Sequence, residues 1–240
     1  MHRFIWDMHY APPEAMSREF PISAIVHDTP QHPLGVFALP GRYTAKLTVE
    51  GKGYTQPLVV KLDPRIKASE ADLRKQFEME QGSTEGMNES YEALRQVQSV
   101  RAQLKDRSGV AKSLPKNLLD ALTALDKKAV ELEGAARSPF FGVPPSGKQP
   151  ETFSTLNQHF ATTLTVADSA DAAPTTQAGA AYQELEHALD DLLARWKRLQ
   201  QTDIPALNAL LKQSGLTELD VNKAPPESQP AGDSEGADQP

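Results

Sequence analysis

The sequence predicts an α+β chain: a small antiparallel immunoglobulin-like β-sandwich followed by an up-and-down four-helix bundle. Three observations carry that reading. Residues 39–65, "LPGRYTAKLTVEGKGYTQPLVVKLDPR", alternate apolar and polar side chains with period two on either side of a glycine-containing loop. From about Ser69 the apolar period changes to three and four. Four stretches then carry such stripes, divided by segments too rich in proline, glycine or small polar residues to continue a helix.

The β region is assigned to residues 1–66. Residues 3–10, "RFIWDMHY", mix aromatic and β-branched side chains and stop at Pro12-Pro13, the pattern of a first strand. Residues 21–28, "PISAIVHD", form a second, short candidate strand. In the hairpin, Pro40-Gly41 supplies a turn, and Tyr43, Ala45, Leu47 and Val49 share one face. "EGKG" at 50–53 turns the chain. The returning strand contains Pro57, which cannot donate to a ladder and favours an edge or a bulge. A lone hairpin is barely stable in water, so these strands must pack on each other as a small sandwich or on something else.

The bundle is assigned to residues 68–218. "SEAD" at 69–72 is a capping pattern, a serine with an acid three residues on. Leu73, Phe77, Met87, Tyr91, Leu94, Val97 and Leu104 continue the first stripe, and Gly82 and Gly86 predict a kink or short break in it. A second helix starts near Pro115 with Leu118, Leu122, Leu125, Ala129 and Leu132 on one face. Residues 134–150 read as a loop. A third helix carries Phe153, Leu156, Phe160, Leu164 and Ala167, and "NQHF" at 157–160 reads as a helix–helix hydrogen bond. Pro174 suits the first turn of the fourth helix, with Asp171 as its cap. In that helix Tyr182, Leu185, Leu189, Leu192, Trp196 and Leu199 alternate steps of three and four, the seam of shallow-angle helix packing. The apolar face continues past Pro205 until Gly215. Residues 219–240 read as a disordered acidic tail, with almost nothing to bury.

Composition and motifs exclude more than they assign. Lys and Arg number 25 against 32 Asp and Glu, net charge −7, which argues against a nucleic-acid partner because phosphate binding needs clustered cations. There are no cysteines, so disulfides, thiolate metal sites and cysteine nucleophiles are absent. No apolar run approaches the roughly 18 residues of a membrane span. The chain has no HExxH, GxSxG or phosphate-binding loop. The six histidines show no ligand spacing, and the pairs Asp190-Asp191, Glu184 with Glu186, and Asp168 with Asp171 read as solvated helix faces and ends. No catalytic residue, cofactor-binding residue or metal ligand is assigned, and no cofactor is expected. Trp196 belongs to the helical seam. Trp6 on the first strand is either sandwich core or part of an interface. Phe4, Trp6 and Tyr10 are the candidate interface residues.

"RFIWDMHY", then "GVFALPGRYTAKLTVEGKGYTQPLVVKLDPRI" at 35–66 and "FSTLNQHFATTLTVADSADAAPTTQAGAAYQELEHALDDLLARWKRLQQTDIPALNALLKQSGL" at 153–216, resemble the C-terminal portion of large bacterial proteins that carry a sortilin-like β-propeller of neuraminidase-type repeats. Many of these are labelled glycosyl hydrolases. The resemblance implies that any ligand site or hydrolase activity belongs to the propeller, whose residues this chain lacks. It implies a non-catalytic accessory module whose partner is a β-propeller domain or another protein. It also implies a chain that begins partway through a longer exported design, periplasmic or secreted; with Met1 as the true start, the absence of a signal peptide reads as cytoplasmic. The competing expectation is part of a glycosidase-like hydrolase, with a cleft between sandwich and bundle holding two facing carboxyls.

Overall fold

The computed structural model describes residues 3–16, 32–109, 114–134 and 150–224. It combines helices with a small two-stranded antiparallel sheet. Two compact units are distinguished, and neither is a continuous stretch of chain. One comprises Met1–Ala93 and Gly134–Arg195, the other Leu94–Glu133 and Trp196–Pro240. No helix among the described residues is long and apolar enough to cross a membrane.

In the first unit, strands β1 (Gly41–Val49) and β2 (Lys52–Val60) form the hairpin. Val49 pairs with Lys52, so the loop is two residues, Glu50-Gly51, shorter than the four of "EGKG". Both loop residues have positive φ, 50° and 80°, the backbone that matches strand twist in two-residue hairpins and that favours glycine at the second position. Pro57 sits opposite Thr44 and is tolerated because both strands of a two-stranded sheet are edges. Tyr43, Leu47 and Val49 share a face with their partners Leu58, Tyr54 and Lys52. That face is half-buried only at its root, around Tyr43 and Leu58; towards the loop Leu47 is 63% exposed.

Residues 8–10 run antiparallel to 36–38, with Tyr10 N–H donating to Val36 O at 2.9 Å and Ala38 N–H to Met8 O at 2.8 Å. His9 and Phe37 form the bridge, ring edge against ring at 5.0 Å. Of the candidate strand at 3–10, only the stretch around His9 pairs with the segment leading into β1, as an isolated bridge; residues 3–7 form no strand. The candidate strand at 21–28 lies outside the described residues, as do His2, His27 and the loop at 135–149.

Helix α1 (Glu70–Ser108) opens on the expected cap: Asp72 N–H donates to Ser69 Oγ, and Ser69 N–H to Asp72 Oδ2, both at 3.2 Å. A short break at Gly82 and Gly86 does not occur; α1 runs unbroken for 39 residues. Its glycines serve close approach. A Cβ on Gly86 would lie 2.6 Å from Cζ of Phe160, and one on Gly82 would lie 1.9 Å from the Tyr182 hydroxyl. Helix α3 (Phe153–Ala167) is capped by Thr152 and Thr155 reciprocally and buries Phe153, Leu156, Phe160 and Leu164. Asn157 behaves as the sequence suggested, donating from Nδ2 to Met87 O at 3.0 Å. Helix α4 (Thr176–Arg198) starts two residues beyond Pro174. Thr175, rather than Asp171, caps it, its Oγ1 accepting from Ala178 N–H at 3.1 Å.

The second unit contains α2 (Lys116–Glu133), which buries the five residues of its expected stripe. Past α4, the turn Leu199–Asp203 is π-helical and leads into α5 (Ile204–Gln213). Pro205 has no N–H to donate one turn back, and the widened turn absorbs that loss without ending the helix. Gly215, at φ 71°, closes it. Trp196 is buried, and its Nε1–H donates to Gln96 Oε1 at 2.9 Å. The first residues read as tail are packed: Leu219 is buried, and Gln103 exchanges hydrogen bonds with the Asp220 backbone at 2.7 and 3.0 Å. Residues 225–240 lie outside the described residues.

Arg101 holds this unit together electrostatically, donating to Asp126 Oδ1 at 3.0 Å and to Glu133. Arg101 and Glu133 are largely shielded from water, and Asp126 is about a third exposed. Arg101→Ala is expected to lower the unfolding free energy by about 1–3 kcal/mol, less than a fully buried pair because Asp126 can rehydrate. Urea unfolding measures it; an unchanged midpoint would show that the two carboxylates have no need of the guanidinium.

Candidate functional site

Two features of the first unit stand apart from ordinary packing. One is the apolar front of the β region. Phe4 is 89% exposed and Ile5 71%, where isolated strands usually turn such residues inward. Tyr10 is 50% exposed, its ring edge-on to Phe77 at 5.9 Å. Trp6 is half-buried: its ring lies tilted on Tyr43 at 5.7 Å and its Nε1–H donates to His9 O at 2.9 Å. Of the three expected interface residues, Phe4 and Tyr10 therefore present apolar surface, while Trp6 braces the segment that carries them. Ile5 went unnoticed in the sequence, although an alternating strand with both faces apolar is itself the signal. Leu47, Val49 and Tyr54 add an exposed apolar stripe on the hairpin.

The other feature is a cavity of about 230 Å³ at the root of the hairpin. Phe37, Leu39, Val60, Leu73 and Phe77 give it apolar walls, and its polar lining comprises Gln76, Glu80, Asp168 and Asp171 together with Lys61 and Asp63. A second cavity of about 200 Å³ shares Phe37, Glu80 and Asp168. Gln76, on α1, ties part of the polar lining together. Its Nε2 donates to Glu80 Oε1 at 2.9 Å and to Ala167 O at 3.0 Å, and its Oε1 accepts from Ala172 N–H at 3.2 Å.

Glu80 is 2% exposed. Burial, opposed by the Gln76 hydrogen bond and reinforced by Asp168 and Asp171, pushes its carboxyl up to about 7. Asp168 caps α3 and stays accessible at the mouth; partial burial raises it, His9 lowers it and Asp171 raises it. Its place at a helix C-terminus adds a negative dipole end to three carboxyls. Among the described residues no ion pair holds Glu80, Asp168 or Asp171: Arg65, nearby in sequence, is engaged by Asp63 at 2.6 Å. Asp168 and Asp171 were read as solvated, which their exposure supports. Glu80 was missed. It occupies a stripe position, three residues after Phe77 and seven before Met87, where the pattern calls for an apolar side chain.

No known protein family, curated protein or solved structure matches this chain. The site is accordingly read from its own residues. No group of three or more His, Asp or Glu side chains among the described residues is arranged to hold a metal ion. His159 Nδ1 lies 3.3 Å from Glu151 Oε2 across an exposed helix face, and His9 Nδ1 lies 3.4 Å from Asp7 Oδ2. Chemically, the cavity can offer one buried carboxyl whose protonation changes near neutrality, and two accessible carboxylates beside it.

Proposed function

We propose that this chain is a non-catalytic accessory module that binds a protein partner through its β front. The observation that carries this reading is the exposure of Phe4 and Ile5 on a segment tied down by the His9–Phe37 bridge and by Trp6 against Tyr43. Large apolar side chains on a fixed backbone are the composition of an interface centre. The hairpin adds Arg42, Lys46 and Lys52 against a single acid, Glu50, on a chain whose net charge is −7. The favoured partner is a sortilin-like β-propeller domain, in keeping with the sequence resemblance. In the same proposal residues 1–66 are an immunoglobulin-like sandwich completed by that partner, and residues 68–218 an antiparallel four-helix bundle behind it.

The test is titration calorimetry of the full chain against a purified sortilin-like, neuraminidase-repeat propeller domain. Saturable binding is expected, and Phe4→Ser combined with Ile5→Ser should weaken it at least about tenfold, as loss of two central apolar contacts does. Absence of binding, or a double variant that binds as well as the parent, would refute the assignment. A second reading, part of a glycosidase-like hydrolase, is favoured by one observation: Glu80 and Asp168 line one cavity in unequal environments, as an acid and a base require. Hydrolysis of nitrophenyl glycosides that disappears in Glu80→Gln would support it over the interaction module.

A further inference from the structure

We propose that the outer edge of β1 takes up an extended segment of a partner protein as a third strand, one in which acidic and apolar side chains alternate. This rests on the reading of the β front as a contact surface and adds the partner's chemistry. A two-stranded sheet is marginal in water, and both of its edges present unpaired backbone groups. The two edges are not equivalent. Val49 and Lys52 close the two-residue loop and so exchange both of their ladder bonds. Alternation along the ladder then turns the N–H and C=O groups of Arg42, Thr44, Lys46 and Thr48 outward on β1. On β2 the same parity turns Pro57 outward, opposite Thr44. Proline has no N–H, so the β2 edge lacks a donor near its centre, while the β1 edge keeps all four. Those four residues are exposed, and among the described residues no backbone hydrogen bond from outside the hairpin reaches them.

The side chains of β1 select the segment. Arg42 and Lys46 share one face of the hairpin with Thr44 and Thr48, and among the described residues neither cation makes an ion pair. The opposite face is apolar, with Leu47 63% and Val49 48% exposed. A strand laid along β1 continues both faces, because successive side chains alternate. Its carboxylates fall beside Arg42 and Lys46, and its apolar side chains extend the surface of Leu47 and Val49. The same cations reject a second copy of this edge: antiparallel pairing of β1 with itself about Thr44 sets Arg42 against Lys46. The chain's own acidic and apolar alternation, at residues 218–221, is already engaged. Arg107 donates to Glu218 O at 2.8 Å, Asn208 bonds both backbone groups of Leu219 at 2.7 and 3.1 Å, and Gln103 bonds those of Asp220. The occupant is therefore a different protein.

The experiment titrates the full chain with a capped synthetic peptide of alternating Glu and Val, using the alternating Lys and Val peptide as control, and follows amide hydrogen exchange by NMR. Saturable binding of the Glu peptide is expected below about 1 mM, with the Lys peptide at least about tenfold weaker. At saturation the amides of Arg42, Thr44, Lys46 and Thr48 should exchange at least about tenfold more slowly, while those of Thr55 and Val59 on the other edge stay as in the free chain. Arg42→Glu combined with Lys46→Glu should invert the preference between the peptides. Thr48→Pro removes one outward donor and leaves the β1–β2 ladder intact, and should weaken the Glu peptide at least about threefold. No saturation up to about 1 mM, equal affinity for the two peptides, or binding that leaves the four amides unprotected overturns the proposal. Protection of those amides in the protein alone, growing with its concentration, would place a second copy on the edge and overturn it equally. Propeller binding that depends on Phe4 and Ile5 while the β1 amides exchange freely would sink the added strand and leave the reading of the front standing. Protection by the Glu peptide without any propeller binding would keep the strand site and remove the propeller as its source.

Discussion

Phe160→Ala is expected to lower the unfolding free energy of the first unit by about 3–5 kcal/mol, the cost of deleting a fully buried ring. Phe160 has no exposed surface, packs edge-on to Tyr182 at 6.4 Å between centroids, and meets α1 at Gly86. The glycine is there for the ring. In an ordinary helix interior Gly→Ala gains about 1 kcal/mol from propensity. Here the new methyl would lie 2.6–2.8 Å from three ring carbons of a side chain with nowhere to retreat. Gly86→Ala alone should therefore destabilise by about 1–3 kcal/mol, the usual range for overpacking. In the Phe160→Ala background the methyl enters the vacated space, and the same substitution should become neutral or stabilising. Urea unfolding of the four proteins in this cycle reads the change of sign. Equal effects of Gly86→Ala in both backgrounds would remove the close-approach explanation.

Glu80→Gln should raise stability at pH 8 and leave it nearly unchanged at pH 5. The sign follows from linkage. Unfolded, the carboxyl has its ordinary value of 4.5; folded, burial holds it up at about 7. Between those values the native state keeps a proton that the unfolded chain has lost. The favourable contribution is whole below about pH 4.5 and is lost as pH rises through about 7. Raising pH from 5 to 8 should then cost the parent protein on the order of 2–3 kcal/mol through this group, at 1.36 kcal/mol per pH unit of difference. Glutamine copies the protonated form and has no such dependence. Asp168 is also raised and adds a slope of the same sign in acid, so the informative quantity is the difference between parent and variant across pH. Parallel stability–pH curves for the two would mean that Glu80 is hydrated in the folded state and that its environment is not as described.

The helical stripes were legible residue by residue. The face of α2, the core residues of α3, the Ser69–Asp72 cap and the stop at Gly215 all depend on neighbours three to five positions away, and such patterns survive any tertiary arrangement. The hairpin was legible for the same reason, down to its glycine turn, although its loop is shorter than the glycines at 51 and 53 suggested. What misled was local reasoning applied to distant partners. Gly82 and Gly86 look like helix breakers until Tyr182 and Phe160 are placed over them. Asp171 looks like a cap until Thr175 takes that role. Alternation in β1 predicts a buried face, yet only its root is covered.

The candidate site divides along the same line. Phe4, Trp6 and Tyr10 could be singled out because large aromatic side chains on a short strand need a surface to cover them, whatever that surface is. The cavity could not be found in advance. Glu80 joins it through Gln76, which bonds the backbone at Ala167 and Ala172, more than ninety residues away. By itself the sequence determined the helical stripes, the Ser69–Asp72 cap and the hairpin, because each is stabilised by hydrogen bonds and side-chain spacing within a short stretch of chain. Only the tertiary structure decided which glycines admit a ring, which carboxylate is taken out of water and how the helices divide between two units. Those outcomes depend on excluded volume and desolvation, and both arise only when segments far apart in the chain are brought into contact.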